Sequence, residues 1–315
     1  MTNSMDLTVI LPAHNPRPEY LRRTLAGLRA QALPYDRWEL LVIDNGSDPP
    51  LAGQHDLSWH PQGRHFREDV LGVMVARRLG FRIAKADLIV NVDDDNVLAP
   101  DYLEQALGIA VRFPNLGVWG GHIAPEFEAT PEEWTKPWWN LLAIRSVSQA
   151  QWSNLIYQDV TTPPGAGMCI RRPVAEAYVA KTEKEPKRLK LCRQGKGVIS
   201  AGDCDLAYTA CDIGMGTGLF PGLRLTHLIS AVRVTEEYLA RLVEGINYST
   251  VMLRAIRGDR TDRPPTTWMH WLRDRKHELS LNPRDRRFYR AAKNGQAMAF
   301  DELEREQSGA GLAPR

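Results

Sequence analysis

Hydrophobic and polar positions form short blocks along the first 120 residues, and the period switches from block to block. Leu7-Thr8-Val9-Ile10-Leu11 is an apolar run closed by Pro12, the pattern of a buried strand. From Pro18 onward Leu21, Leu25 and Leu28 recur at helical spacing. A second strand is predicted from Glu39 to Ile43, ended by the turn residues Asp44-Asn45-Gly46-Ser47. A helix from Val73 to Ala84 leads into a third strand from Leu88 to Val92. Another helix, from Asp101 to Val111, turns Leu103, Ala106, Leu107 and Ala110 inward, and a strand follows from Gly117 to Gly120. This rhythm predicts an α/β fold: a mostly parallel sheet with helices on both faces. Ligands of such sheets lie beyond the carboxyl ends of the strands. His14-Asn15, Asp44-Asn45 and Asp93 to Asp95 all fall there.

The rhythm loosens afterwards. Trp134, Trp138, Trp139 and Trp152 crowd one segment, read as aromatic anchors on the core, with stacking on a ligand ring as the alternative. Lys181 to Lys196 is rich in Lys and Arg and reads as a mobile surface loop able to order over a bound ligand. Asp203 to Ile213 reads as a helix, Gly214-Met215-Gly216-Thr217-Gly218 as its cap and turn, and Leu223 to Thr226 as a strand. Two or three C-terminal helices follow, broken between Gly258 and Pro265. His55, His60 and His65 lie in a polar stretch containing Gly and Pro, and are expected to be solvated.

Composition changes this picture little. A net charge of +2 supplies no electrostatic reason for a nucleic-acid partner. The four cysteines form no C-x-x-C pair, so they read as reduced thiols. No signal peptide is apparent, and no run approaches the roughly 18 apolar residues of a membrane span. The expectation is a cytoplasmic protein, at most peripheral at the inner face of a membrane. The sequence lacks both a phosphate-binding G-x-x-x-x-G-K-[ST] loop and a G-x-S-x-G motif.

The densest chemistry is Asp93-Asp94-Asp95. If the strand continues through it, Asp93 and Asp95 share a face, suiting a divalent ion that also carries phosphate oxygens. An acidic turn before the helix near Pro100 explains the triplet equally well.

Four motifs in register then carry a resemblance. Val9-Ile10-Leu11-Pro12-Ala13-His14-Asn15, Val42-Ile43-Asp44-Asn45-Gly46-Ser47, Ala76-Arg77 and Asp93-Asp94-Asp95 together resemble the family 2 glycosyltransferases, over about Leu7 to His227. The resemblance implies the GT-A fold, a nucleotide-sugar donor (a UDP-sugar favoured), a saccharide or glycoconjugate acceptor, Mn²⁺ or Mg²⁺, and inversion at the anomeric carbon. It implies that Pro12, Ala13, His14 and Asn15 line the base and ribose pocket, and that Asp44, with Asn45 and Ser47 beside it, meets the base. Arg77 is implied near the diphosphate or base, Asp93 at ribose or sugar hydroxyls, and Asp95 on the metal. Asp94 belongs to the same donor motif but points away. Gly165, Ala166 and Gly167 would let the backbone approach the donor sugar, Asp203 would be the general base, and His227 would serve the metal or diphosphate.

Plainer readings stand beside these: an Asx-turn for Asp44, a solvated helix face for Arg77, a helix N-cap for Asp203, a structural histidine for His227. The chain also departs from the family pattern, with Arg78 in place of Asn and Gly202 in place of Glu. Residues 1–230 are expected to form the catalytic domain, 1–120 its nucleotide-binding half and 121–230 its acceptor half, with 231–315 a helical extension. Two alternatives remain. A sugar nucleotidyltransferase should carry a Gly-rich basic signature after the first strand, which Pro12-Ala13-His14-Asn15 is not. A catalytically inactive, carbohydrate- or nucleotide-binding relative would bind without turnover.

Overall fold

The computed structural model describes residues 5–192, 199–259, 261–264 and 267–308. The chain divides into two compact units, residues 1–190 with 202–231, and residues 191–201 with 232–315.

The first unit runs β1 (Leu7–Ala13), α1 (Pro18–Arg29), β2 (Trp38–Asp44), β3 (Gly63–Arg67), α2 (Val73–Ile83), β4 (Leu88–Asn91), β5 (Asn96–Leu98), α3 (Tyr102–Arg112), β6 (Leu116–Phe127), β7 (Gln151–Ser153), β8 (Cys169–Arg171), α4 (Arg172–Lys184), α5 (Gly202–Asp212) and β9 (Gly216–Ile229). One sheet holds all nine strands in the order β3-β2-β1-β4-β8-β6-β9-β5, with β7 also on β9. The β3-β2-β1-β4 half is parallel, as the early rhythm predicts. Beyond it β8 runs antiparallel to both β4 and β6. β1 and β2 are buried along their whole lengths, so their runs are continuously apolar instead of alternating. Where a charge enters this core it is satisfied: buried Glu39 accepts from Thr8 Oγ1 at 2.7 Å, from the Lys85 amide at 2.7 Å and from Arg64 at 2.6 Å.

Four expectations are corrected. Residues 63–67 form β3, so the strand from Leu88 is the fourth; the half-buried Gly-Arg-His-Phe-Arg edge strand has no apolar run to announce it. His60 is not solvated but 2% exposed, its ring packed edge-on to Trp38 at 4.2 Å between centroids. The stretch from Lys181 is not a mobile loop as far as it is described. Lys181 to Lys184 end α4, and Pro186–Leu191 is a 3-10 helix whose buried Arg188 pairs with buried Asp205 at 2.7 Å. Its remainder, residues 193–198, lies outside the described residues. Finally, the strand near Leu223 is 14 residues long and that at Gly117 is 12. Gly and Pro interrupt both apolar patterns because β9 bulges, pairing Phe220 with Gly121 and then Arg224 with His122. A Cβ on Gly121 would lie 2.1 Å from the Leu223 carbonyl oxygen, so only glycine passes under the bulge.

The second unit contains α6 (Glu236–Ile256), α7 (Trp268–Ser280) and α8 (Pro283–Gln307). α6 buries an apolar stripe including Leu239, Leu242, Val243, Met252 and Leu253. Gly295 of α8 lets the helices touch, since a Cβ there would meet the Glu244 carbonyl oxygen at 2.1 Å. Thr235, Thr267 and Asn282 cap the three helices through side-chain oxygens.

Candidate active site

The ends of β1 and β2 are sewn together. After β1, His14 donates Nδ1–H to the Asn45 carbonyl at 2.7 Å. Asn15 takes a positive φ of 43°, which asparagine tolerates, and its amide donates to Ser47 Oγ at 3.0 Å. Buried Asp44 accepts from the Ser47 amide at 2.8 Å, the Leu51 amide at 3.1 Å and Arg67 of β3 at 3.0 Å. Burial pushes its carboxyl up. The Ser47 hydroxyl, the two amides and the Arg67 charge outweigh that and hold it below the usual carboxylate range. Asp44 thus holds the turn after β2 through the amides three and seven residues on. Asn45 is spent on the loop before α2, donating to the Glu68 and Val70 carbonyls and accepting from the Gly72 amide.

At the end of β4 the strand stops at Asn91, and Asp93 to Asp95 lie in a turn closed by the Asn96 amide on the Asp93 carbonyl at 3.0 Å. Strand alternation therefore does not orient the triplet. The turn sends its members to different partners. Asp93 accepts from Arg77 at 2.7 Å, while Asp95 meets His227 Nε2 at 3.2 Å and Asn96 at 2.9 Å. The Asp94 carbonyl accepts from Thr24 of α1 at 3.1 Å.

Arg77 is not on a solvated face. Although it lies mid-helix in α2, its side chain is 2% exposed and spans two acids, Asp93 and Asp203. Asp203, in the first turn of α5, also accepts from the Gly165 amide at 3.0 Å. A Cβ on Gly165 would fall 2.5 Å from Asp203 Oδ2 and 2.7 Å from both Arg77 terminal nitrogens. Gly167, at φ 70°, faces Tyr102, whose hydroxyl donates to its carbonyl at 2.6 Å. The structure thus gathers Arg77, Asp93, Gly165 and Asp203 into one cluster, and places Ala166 buried beside it. Pro12 and Ala13 end β1. Cys204 follows Asp203 but is no nucleophile at neutral pH: burial and the charges of Asp203 and Asp159 push its thiol up to about 12.

Three side chains escaped the sequence reading. Arg67 belongs to the unrecognised β3, Tyr102 looked like an ordinary helix residue, and Arg188 sat in a charge run. Asp205, two places beyond Asp203, was the available signal for Arg188, because a second acid in a helix's first turn needs a partner once buried.

Among the described residues no group of three or more His, Cys, Asp or Glu is arranged to hold a metal. Asp95 and His227 do fit a smaller role. They bring a carboxylate and an imidazole to one point, and a divalent ion held by two protein groups completes its shell with substrate oxygens.

A family model described as Glycosyl transferase family 2 matches residues 8–179. Succinoglycan biosynthesis protein ExoW of Rhizobium meliloti (strain 1021) is 34% identical over 114 residues, 34% of this chain and 34% of that protein. The uncharacterized protein y4gI of Sinorhizobium fredii (strain NBRC 101917 / NGR234) is 28% identical over 119 residues, 36% of this chain and 13% of its own length. The chain thus matches only about a third of the first relative and less of the second. A crystal structure of S. aureus TarS 1–349 in complex with UDP superposes with a TM-score of 0.51 at 13% identity, covering 98% of this chain and 93% of that one. That likeness supports the GT-A fold.

Proposed function

Since the chain belongs to glycosyl transferase family 2, we propose that it moves a sugar from a nucleoside-diphosphate donor to a hydroxyl of a saccharide or glycoconjugate, with inversion. The observation that carries this reading is the Arg77 bridge, which joins the acid at the end of β4 to the acid opening α5. Those are the positions where donor and base must meet. TarS binds UDP on the same fold, which favours a UDP-sugar.

Asp203 is the general base. Its ionised form is held by Arg77 and the Gly165 amide, and the acceptor hydroxyl takes the place of one of these contacts as it comes within hydrogen-bond reach. The hydroxyl oxygen attacks the anomeric carbon from the face opposite the diphosphate. As the C–O bond to the diphosphate breaks, Asp203 takes the hydroxyl proton. A glycoside and a nucleoside diphosphate leave, with no covalent sugar–enzyme intermediate. Arg77 is the cation the diphosphate can share once Asp203 is engaged by acceptor. Pro12 to Asn15, Asp44, Asn45 and Ser47 form the nucleotide end, in which Asp44 shapes the turn and Arg67 carries a charge at its rim. Asp95 and His227 would hold Mn²⁺ or Mg²⁺, which neutralises charge growing on the departing diphosphate. Trp152, 62% exposed on β7, offers a ring for acceptor stacking.

The test is Asp203→Asn, assayed for transfer and, by calorimetry with metal, for donor binding. Transfer should vanish while donor binding survives. Loss of donor binding together with transfer would make Asp203 a structural cap and sink the assignment.

A further inference from the structure

Helix α7 is amphipathic in the inverted sense. Its contacts with α8 are polar: Asp274 pairs with Lys293 at 2.7 Å, Glu278 with Arg290 at 2.6 Å, and the His277 ring stands edge-on to Tyr289. Arg286 of α8 adds donors to the carbonyls of Glu278, Leu279 and Leu281. No residue of α7 is buried, and the two that are half-buried, Asp274 and Glu278, are both acids. The apolar residues Trp268, Leu272 and Leu279 recur at spacings of four and seven on the side away from Asp274 and His277, with Trp271 between them and Glu278; all four are 46–71% exposed, and exposed Arg275 lies among them. A helix that stabilises a fold buries this stripe; here the fold holds the polar side and presents the apolar one.

The charge around the stripe selects its partner. From Trp268 to Lys293 there are eight Arg and Lys against three Asp and Glu, a net +5 in a chain whose total is +2. Lys276 lies exposed at the margin of the stripe and Arg273 exposed further round the helix. A second copy would bring two such basic surfaces together, whereas an anionic lipid surface complements them. Paired tryptophans beside basic residues are also the composition of helices that lie in the headgroup region. No helix among the described residues is long and apolar enough to cross a membrane. We propose that α7 is an interfacial helix that docks this chain on an anionic bilayer surface through Trp268, Trp271 and Leu272, steered by Arg273 and Lys276.

Flotation of the full chain with phosphatidylcholine vesicles, with and without phosphatidylglycerol, tests this. The chain should float with the anionic vesicles at low salt and detach at high salt, because the steering charges are screened. Trp268→Ala with Trp271→Ala should lower the bound fraction about tenfold, and Arg273→Glu with Lys276→Glu should do so for anionic vesicles, both without moving Tm. Absence of binding to anionic vesicles, or binding that both double variants retain, overturns the proposal. So does a dimer in light scattering that the tryptophan variant dissociates while vesicles are ignored, which would assign the face to a second copy.

Discussion

Two acid-bearing regions lie at the same sheet edge, and they are satisfied to opposite degrees. At the end of β2 a single buried carboxylate, Asp44, receives two backbone amides, the Ser47 hydroxyl and Arg67. Where Asp93 after β4 meets Asp203 at the start of α5, two partly exposed carboxylates share one guanidinium, helped by one amide from Gly165. The first arrangement has donors to match its acceptors and holds a turn shut. The second has acceptors to spare, so a hydroxyl or a cation entering it finds partners waiting. The difference separates a group that builds the site from groups that can work in it, although Asp44 and Asp93 are both aspartates after strands.

The largest expected effect falls on the under-donated cluster. Gly165→Ala inserts a methyl where Arg77 and Asp203 already meet, and should cut kcat/KM for transfer roughly a hundredfold or more, since ångström displacements near reacting groups carry that penalty. Chemical denaturation should move far less. A variant with unimpaired turnover would show that the cluster is not where the reaction occurs.

Next is an acid sensitivity confined to the β2–β3 side. Burial holds His60 down at about 4. The unfolded chain protonates near 6.5 while the folded one does not, so stability present above pH 6.5 is lost as pH falls toward 4, by about 3 kcal/mol. His60→Gln, which keeps an acceptor for the Gln62 amide, should flatten the denaturation-versus-pH curve in that window. An unchanged slope would mean that His60 charges without unfolding anything.

The smallest effect sharpens the contrast directly. Asp44→Asn should cost about 1–2 kcal/mol, because a carboxamide cannot accept from all the donors converging there. Asp203→Asn should cost less, because Asp93 still pairs with Arg77. Equal costs in urea titrations would erase the distinction between the two regions.

The alternating blocks up to residue 112 were legible because β1, β2, β4 and α1 to α3 each bury a simple apolar pattern. β3 was not, being a half-buried edge strand whose only apolar member is Phe66. The strand pattern brought His14-Asn15, Asp44-Asn45 and Asp93 to Asp95 to one sheet edge. Strand alternation would have put Asp93 and Asp95 on one face, but the chain turns there and sends Asp93 to Arg77 and Asp95 to His227; only the family resemblance gave the two separate roles. Arg77 was undecidable from sequence, because an arginine in a helix looks the same whether it faces water or two acids. Likewise Arg188 and its neighbours read as solvated, since a run of charges does not announce a buried partner such as Asp205.

The bulge in β9 has a consequence for how the gene can change length. His227 reaches Asp95 because it lies opposite Asn96 of β5, in antiparallel register with Val97 on Thr226 and Leu98 on Leu225. Residues 221–223 lie outside the pairing with β6, so an insertion or deletion there is taken up locally. Loss of one codon between Arg224 and Thr226 instead turns the imidazole to the other face of the sheet. Two neighbouring stretches of one strand thus stand under opposite tolerance to indels, one acting as slack and the other as a fixed reading frame for the side chain that faces Asp95.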